Sequence, residues 1–366
     1  MENRLRRMRA AMADSGIESF FCTDLSNVKW LTGFEGVFDD EPAHTLFVSA
    51  DEAAMHTDSR YDQAACNAAA GTPWQVDASG GSHAAWVAAR VACRSLAIED
   101  SMTLAAYRSL TTALDAARAS GPSVEAPRET GDFVRRLRAV KDAAEIDAMR
   151  AAQTITDAAF EHIAGFMRIG MTEREVQLEL EETMRRMGAD ELAFSSIVAS
   201  GANGAAPHSI PGEKRLEEGD MVVLDFGARK NGYCSDMTRT VCMGRATDEA
   251  RRVFAAVRAA NEAVEAMLRP GVTGAQAHEL AEQVLAREGF AGKMGHGLGH
   301  GVGIDIHELP NLSPRNLTPL EAGNVVTVEP GVYLGGVLGC RLEDFGVITE
   351  DGFEVFTKST HELVII

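Results

Sequence analysis

The chain has 366 residues, 45% hydrophobic and 24% charged, which is enough for two domains with their own cores. Its formal net charge of -19 argues against nucleic acid and anionic membrane as principal partners and favours solubility. Cys22, Cys66, Cys93, Cys234, Cys242 and Cys340 show no CxxC spacing and read as reduced, mostly buried thiols of a cytoplasmic protein, with no Cys234–Cys242 disulfide expected.

An amphipathic basic helix is predicted from Arg4 to Ser15, ended by Gly16. It lacks the apolar core of a secretory signal, and no later segment is apolar for long enough to span a membrane. Ser19–Thr23 and Thr45–Ser49 read as short strands, and the alanine-rich stretches 62–70 and 84–95 as helices. Residues 1–127 are therefore expected to form an α/β domain, with Gly121-Pro122 and Pro127 marking its end and 128–366 forming the second domain. One long helix is predicted from Glu129 through Ala164, with the charges of Arg135, Arg136, Arg138, Lys141, Asp142, Glu145 and Asp147 on a solvated face. Gly170 stops a helix and Thr172, three residues ahead of Glu175, starts the next, which runs to about Met187. Strand patterns prevail from Ile197 onward, with two more helices near 248–268 and 273–288.

The C-terminal part carries an unusual set of acids. Asp225 interrupts the apolar strand Met221–Gly227, and Glu329 interrupts Val325–Gly331. A buried acid is costly unless a cation or hydrogen bonds neutralise it. Asp225 and Asp236 flank Arg229-Lys-Asn-Gly232, a hairpin signal. A turn centred between Lys230 and Asn231 sets the two acids opposite each other, and a shift of two residues makes them diagonal neighbours. Glu329 and Glu343 repeat the arrangement about Gly336, so two hairpins each present a pair of acids, and an internally duplicated domain is expected. Gly295-His-Gly-Leu-Gly-His-Gly-Val-Gly303 alternates glycine with larger residues, so a strand there puts His296, Leu298 and His300 on one face. His307 joins the same site only if the chain turns after His300, which Gly301 and Gly303 permit. Four carboxylates and one imidazole suit a pair of hard divalent ions such as Mn²⁺, Co²⁺ or Fe²⁺, and hence a two-metal hydrolase.

These residues resemble the M24 metallopeptidases, the pita-bread fold of methionine aminopeptidase, aminopeptidase P and prolidase. The matching segments are Asp225-Phe-Gly227, Gly232-Tyr-Cys-Ser-Asp236-Met-Thr-Arg-Thr240, Gly299-His-Gly301, His307-Glu-Leu-Pro310, Glu329-Pro-Gly-Val-Tyr333 and Arg341-Leu-Glu-Asp344. Asn27–Gly33 and Thr57–Tyr61 resemble the N-terminal domain of the aminopeptidase P and creatinase branch. The resemblance implies an α/β N-terminal domain and an α+β pita-bread catalytic domain with pseudo-two-fold symmetry. It further implies that Asp225 holds one metal ion, His300 with Glu329 the other, and that Asp236 and Glu343 bridge both. The metals would be Mn²⁺ first, with Co²⁺, Fe²⁺ or Zn²⁺ as substitutes. A water between them would attack the scissile carbonyl, Glu329 would shuttle its proton, and His208 and His307 would hydrogen-bond the carbonyl and the oxyanion. His296, Tyr333 and Arg341 would line the substrate pocket. Trp30 stands where a tyrosine-type aromatic is more usual, and Cys340 and Phe345 flank the last acid where aliphatic or acidic residues are more typical. The implied activity is an Xaa-Pro aminopeptidase, homodimeric and cytoplasmic, acting on peptides with proline second. A prolidase restricted to dipeptides, an amidohydrolase acting on a small non-peptide amide and a non-catalytic binding module are the alternatives.

Overall fold

The computed structural model describes residues 2–39, 41–91, 95–118 and 126–366. Cys93 and the Gly121-Pro122 boundary signal lie outside the described residues. Contacts divide the chain into two units, one ending at Arg138 and one running from Ala139 to Ile366.

The first unit is built around a six-stranded mixed sheet. In chain order its elements are α1 (Glu2–Asp14), β1 (Ser19–Cys22), α2 (Leu25–Thr32), β2 (Thr45–Ser49), β3 (Ala53–His56), α3 (Asp62–Ala69), β4 (Gln75–Asp77), α4 (His83–Ala88), β5 (Leu96–Ile98), α5 (Leu104–Arg118), β6 (Arg128–Glu129) and α6 (Phe133–Ala139). The strand order is β4-β3-β2-β1-β5-β6, antiparallel in the middle and parallel towards both edges. Leu5, Met8 and Met12 recur on one face of α1 and are buried, as a helical period requires. The tryptophan at position 30 is fully buried, with the Arg4 and Arg7 guanidinium groups over its ring. The second alanine-rich helix is shorter than its sequence suggests, because α4 is capped by Ser82 and ends at Ala88.

The second unit runs through α7 (Ala143–Phe166), α8 (Glu173–Arg186), β7 (Glu191–Leu192), β8 (Ile197–Ser200), β9 (Met221–Phe226), β10 (Ala228–Lys230), β11 (Tyr233–Cys234), β12 (Met237–Cys242), α9 (Asp248–Met267) and α10 (Gly274–Arg287). It continues with β13 (Gly299–Gly301), β14 (Glu308–Leu312), β15 (Val325–Val328), β16 (Gly331–Leu334), β17 (Leu338–Arg341), β18 (Asp344–Ile348) and β19 (Phe353–Val355). The single long helix expected from Glu129 to Ala164 is two helices. Glu129 lies in β6, and the chain between α6 and α7 is extended because Val140 bridges Asn324 and the Lys141 N–H donates to the Gly323 carbonyl at 2.9 Å. Asp142 then restarts the helix with a capping box to Glu145. Nor are all the charges of this stretch solvated: Arg138, Lys141 and Glu145 are buried.

The internal duplication is visible bond by bond. Gly170 N–H donates to Leu216 O at 2.8 Å and Leu216 N–H to Met171 O at 2.8 Å. In the second half Gly271 N–H donates to Leu320 O at 2.9 Å and Leu320 N–H to Val272 O at 2.8 Å. Thr172 and Thr273 both start a helix with a capping box, and each bridges the strand-like segment that precedes an acid-bearing strand, at Arg215 and Pro319. The first half ends in a three-stranded sheet, β12-β9-β8, and the second in a five-stranded sheet, β14-β13-β15-β18-β19. Helices α7 and α8 pack with the first sheet in one apolar core, and α9 and α10 with the second sheet in another. Both sheets therefore turn one apolar face to helices.

Candidate active site

Each half places its acids through a hairpin. In the first, Asn231 and Gly232 take positive φ (51° and 79°), which makes a two-residue turn with Lys230 paired to Tyr233. The turn centre therefore falls one residue later than between Lys230 and Asn231. Asp225 pairs with Thr238 in β12, and Asp236 becomes its diagonal neighbour instead of its direct partner. In the second, Val328 pairs with Asp344 and Gly331 with Arg341, a register centred on Gly336 that sets Glu329 opposite Glu343. The two hairpins meet where Glu343 N–H donates to Thr238 O at 3.1 Å.

The glycine-rich segment is a strand only over β13. Gly295 turns with φ of 75°, and the register shifts between Gly299 and Gly301, so His296 and His300 do not share one straight strand face. They still reach one region. His300 Nε2 lies 3.5 Å from Asp236 Oδ2 and 3.4 Å from Glu329 Oε1. Its Nδ1 lies 3.0 Å from the Gly301 carbonyl, which fixes the proton there and leaves the Nε2 lone pair facing the acids. The chain turns after Gly303 and brings His307 back edge-on to His300, with ring centroids 4.3 Å apart. The pocket lining is equally connected. Arg341 donates from Nη2 to Asp225 Oδ2 at 2.5 Å, from Nε to Thr238 Oγ1 at 3.0 Å, and from Nη1 to Tyr333 Oη at 2.9 Å. Tyr333 Oη is in turn 3.0 Å from His296 Nε2. Arg341 is itself buried. His208 is exposed, on the loop after β8, close enough for its charge to act on Asp225, His296 and His307.

The electrostatics of this cluster are out of balance. Four acids surround one guanidinium, and burial followed by mutual repulsion holds the carboxyls of Asp236 and Glu343 well above the usual range. Burial pushes Glu329 up to about 8 against the pull of Arg341. Burial, then the neighbouring His307, lowers His300 to about 4, so its imidazole is neutral and able to ligate. Asp225 Oδ1 is buried without a hydrogen-bond partner. Ligand atoms of Asp236, His300 and Glu343 all lie within 4.8 Å of one another. An orphaned carboxylate oxygen, a bare imidazole nitrogen and uncompensated negative charge fit divalent cations. A second group, Glu265, Asp344 and His361, is similarly tight but differs in kind. There Arg239 Nη2 holds Asp344 Oδ1 at 2.7 Å and His361 Nε2 lies 2.8 Å from Asp344 Oδ2, so side chains of the protein already supply the positive charge.

Two threonines escaped the sequence reading. Thr238 Oγ1 donates to Glu343 Oε2 at 2.6 Å, and Thr327 Oγ1 accepts the His300 N–H at 3.0 Å while lying 3.3 Å from Glu329 Oε1. Their only signal was a spacing of two residues from an acid on the same strand face. The flanking residues noted as departures are core: Cys340 and Phe345 are both fully buried, and Phe345 packs edge-on against Phe356.

Fold and site together bring residues that fit divalent cations to the meeting point of two hairpins. Residues 147–350 match the model of metallopeptidase family M24, and residues 4–140 that of the Creatinase/Prolidase N-terminal domain. The chain is 38% identical to the uncharacterized peptidase YqhT of Bacillus subtilis, over 99% of this chain and all of the relative. A solved Xaa-Pro dipeptidase from Bacillus anthracis superposes with a TM-score of 0.91 at 36% identity, covering 100% of this chain and 99% of that one. An X-Pro aminopeptidase from Thermotoga maritima MSB8 gives 0.86 at 32% identity, covering 99% and 100%. The chain belongs to metallopeptidase family M24, with a creatinase-type N-terminal domain before the pita-bread domain.

Proposed function

We propose that the protein is a dinuclear metal-dependent Xaa-Pro aminopeptidase, removing the first residue from peptides with proline second. The observation that carries this reading is the convergence of Asp225, Asp236, His300, Glu329 and Glu343 on one region, with an orphaned Asp225 oxygen and a surplus of buried negative charge. Asp225 would hold one ion, His300 and Glu329 the other, and Asp236 and Glu343 both; Mn²⁺ suits this oxygen-rich set, as do Co²⁺, Fe²⁺ and Zn²⁺. Bound there, the ions supply Lewis acidity that polarises a carbonyl and acidifies water. Glu329 would take a proton from the attacking water and hand it to the leaving nitrogen. His307 and His208 donate to the carbonyl oxygen as it gains charge. His296, Tyr333 and Arg341 form a hydrogen-bonded wall for the substrate. Proline makes the scissile nitrogen tertiary, so a pocket must recognise the ring in place of an N–H.

The resemblance to the Thermotoga X-Pro aminopeptidase supports the aminopeptidase reading, and the Bacillus anthracis Xaa-Pro dipeptidase favours a second one, restriction to dipeptides. Amino-acid release from Ala-Pro and Ala-Pro-Ala by chelated, Mn²⁺-reconstituted protein separates them. Cleavage of the tripeptide is the expected result; cleavage of Ala-Pro alone makes the enzyme a dipeptidase. If neither is cut while metal is bound, a small non-peptide amide becomes the substrate to test.

A further inference from the structure

Lys141 and Glu308 form an ion pair, Nζ to Oε2 at 3.1 Å, with side chains only 1% and 6% exposed. The roles assigned above use neither residue. A buried pair is costly to desolvate, so its presence here asks for a reason other than stability.

We propose that Lys141 and Glu308 are positioning residues for His307: the Glu308 carboxylate closes the turn that returns His307 to His300, and Lys141 holds that carboxylate in place. The proposal rests on the reading of His307 as an oxyanion donor. The turn is drawn together by its own backbone and by Glu308. Gly303 N–H donates to Asp305 O at 3.0 Å, and Asp305 N–H donates to Glu308 Oε1 at 3.0 Å. Gly303 must be glycine for this, since a Cβ there would lie 2.5 Å from Glu308 Oε2. The outer side is fixed as well, with Cys234 N–H donating to Gly303 O at 2.8 Å and Arg229 Nη1 to Ile304 O at 2.5 Å. One carboxylate oxygen therefore holds the turn and the other faces Lys141. The lysine is delivered by the extended stretch between α6 and α7, tied to Gly323 and Asn324. Without its ammonium the buried carboxylate must protonate or turn away, and the turn loosens. A misplacement of about 1 Å at a catalytic group can cost about 100-fold in rate.

The test is a set of double-mutant cycles, with Mn²⁺ affinity by calorimetry and kcat and KM on the better of Ala-Pro and Ala-Pro-Ala. Glu308→Ala is expected to lower kcat by about 10–100-fold while KM and the Mn²⁺ Kd stay within about twofold. In a His307→Ala background the same change should cost less than about twofold more, because the residue acts through His307. Glu308→Gln, which keeps an acceptor for Asp305 N–H, should recover most of the rate. Lys141→Met/Glu308→Gln removes both charges and guards against misfolding caused by one unpaired charge. Multiplicative losses in the His307→Ala background, or Mn²⁺ affinity falling in step with turnover, overturn the proposal. If the parent protein cuts neither peptide, the functional reading fails and the pair is judged from ¹⁵N-histidine spectra of Zn²⁺-loaded protein. A His307 resonance displaced by Glu308→Ala, with His296 unmoved, supports the positioning role; an unmoved His307 overturns it.

Discussion

A carboxylate inside an apolar strand is an anomaly that needs no structure to detect, and Asp225 and Glu329 were legible for that reason. A threonine in a strand is ordinary, so Thr238 and Thr327 carried no comparable signal although each contacts an acid of the cluster. Lys141 was read as a solvated charge because its partner Glu308 lies 167 residues away. At Asp236 the expectation is sharp. Asp236→Asn should abolish both Mn²⁺ binding and turnover while circular dichroism stays that of the folded parent; near-normal activity with two ions bound defeats the ligand assignment. His307→Ala should spare Mn²⁺ affinity and cut kcat by roughly 10²–10³ as the loss of an oxyanion donor does. Parallel loss of metal and turnover would make His307 a support of the metal set.

Among the elements, those with local stop and start signals were well read from sequence. Thr172 with Glu175 begins α8, and Asp248–Met267 and Gly274–Arg287 fall where periodicity put them. The failures share a cause. The break at 140–142 and the shortness of β13 are imposed by pairing outside the element itself, with Asn324 for the first and with β14 and β15 for the second. Gly299 shows how tight that pairing is, since a Cβ there would overlap the Thr327 carbonyl. Gly299→Ala should therefore push β13 from β15, displace His300 and weaken Mn²⁺ binding by tenfold or more on the order expected for a disturbed ligand set, with the melting temperature lowered only modestly. Calorimetric Mn²⁺ titration checks it, and unchanged affinity would refute it.

For the whole molecule, two linkages can be measured. Repulsion among Asp236, Glu329 and Glu343 opposes folding, so saturating Mn²⁺ should stabilise the fold by about 2.7 kcal/mol at 100 times Kd and raise the melting temperature with it. Chelation should reverse the gain. The C-terminal segment gives the second: the bond to Asp344 raises the His361 imidazole above its ordinary value against the opposing effects of burial and Arg239, with Glu265 adding to the rise and Glu262 Oε1 3.4 Å from its Nδ1. A raised folded value stabilises fully below about 6.5, the ordinary histidine pKa, and the gain is lost as pH climbs through the folded value. His361→Gln should accordingly lower the melting temperature more at pH 6 than at pH 9; an equal effect at both shows that the imidazole's charge contributes nothing. By itself the sequence determined the family and the midpoint of the second hairpin, and it singled out four acids and an imidazole in unexpected places, because turn chemistry and misplaced polar residues are local properties. Tertiary structure alone decided that Arg341 is buried against Asp225, that His307 returns to His300, and that Lys141 meets Glu308. Each of those depends on which distant segments pack together, and a side chain's burial is settled only when its neighbours arrive.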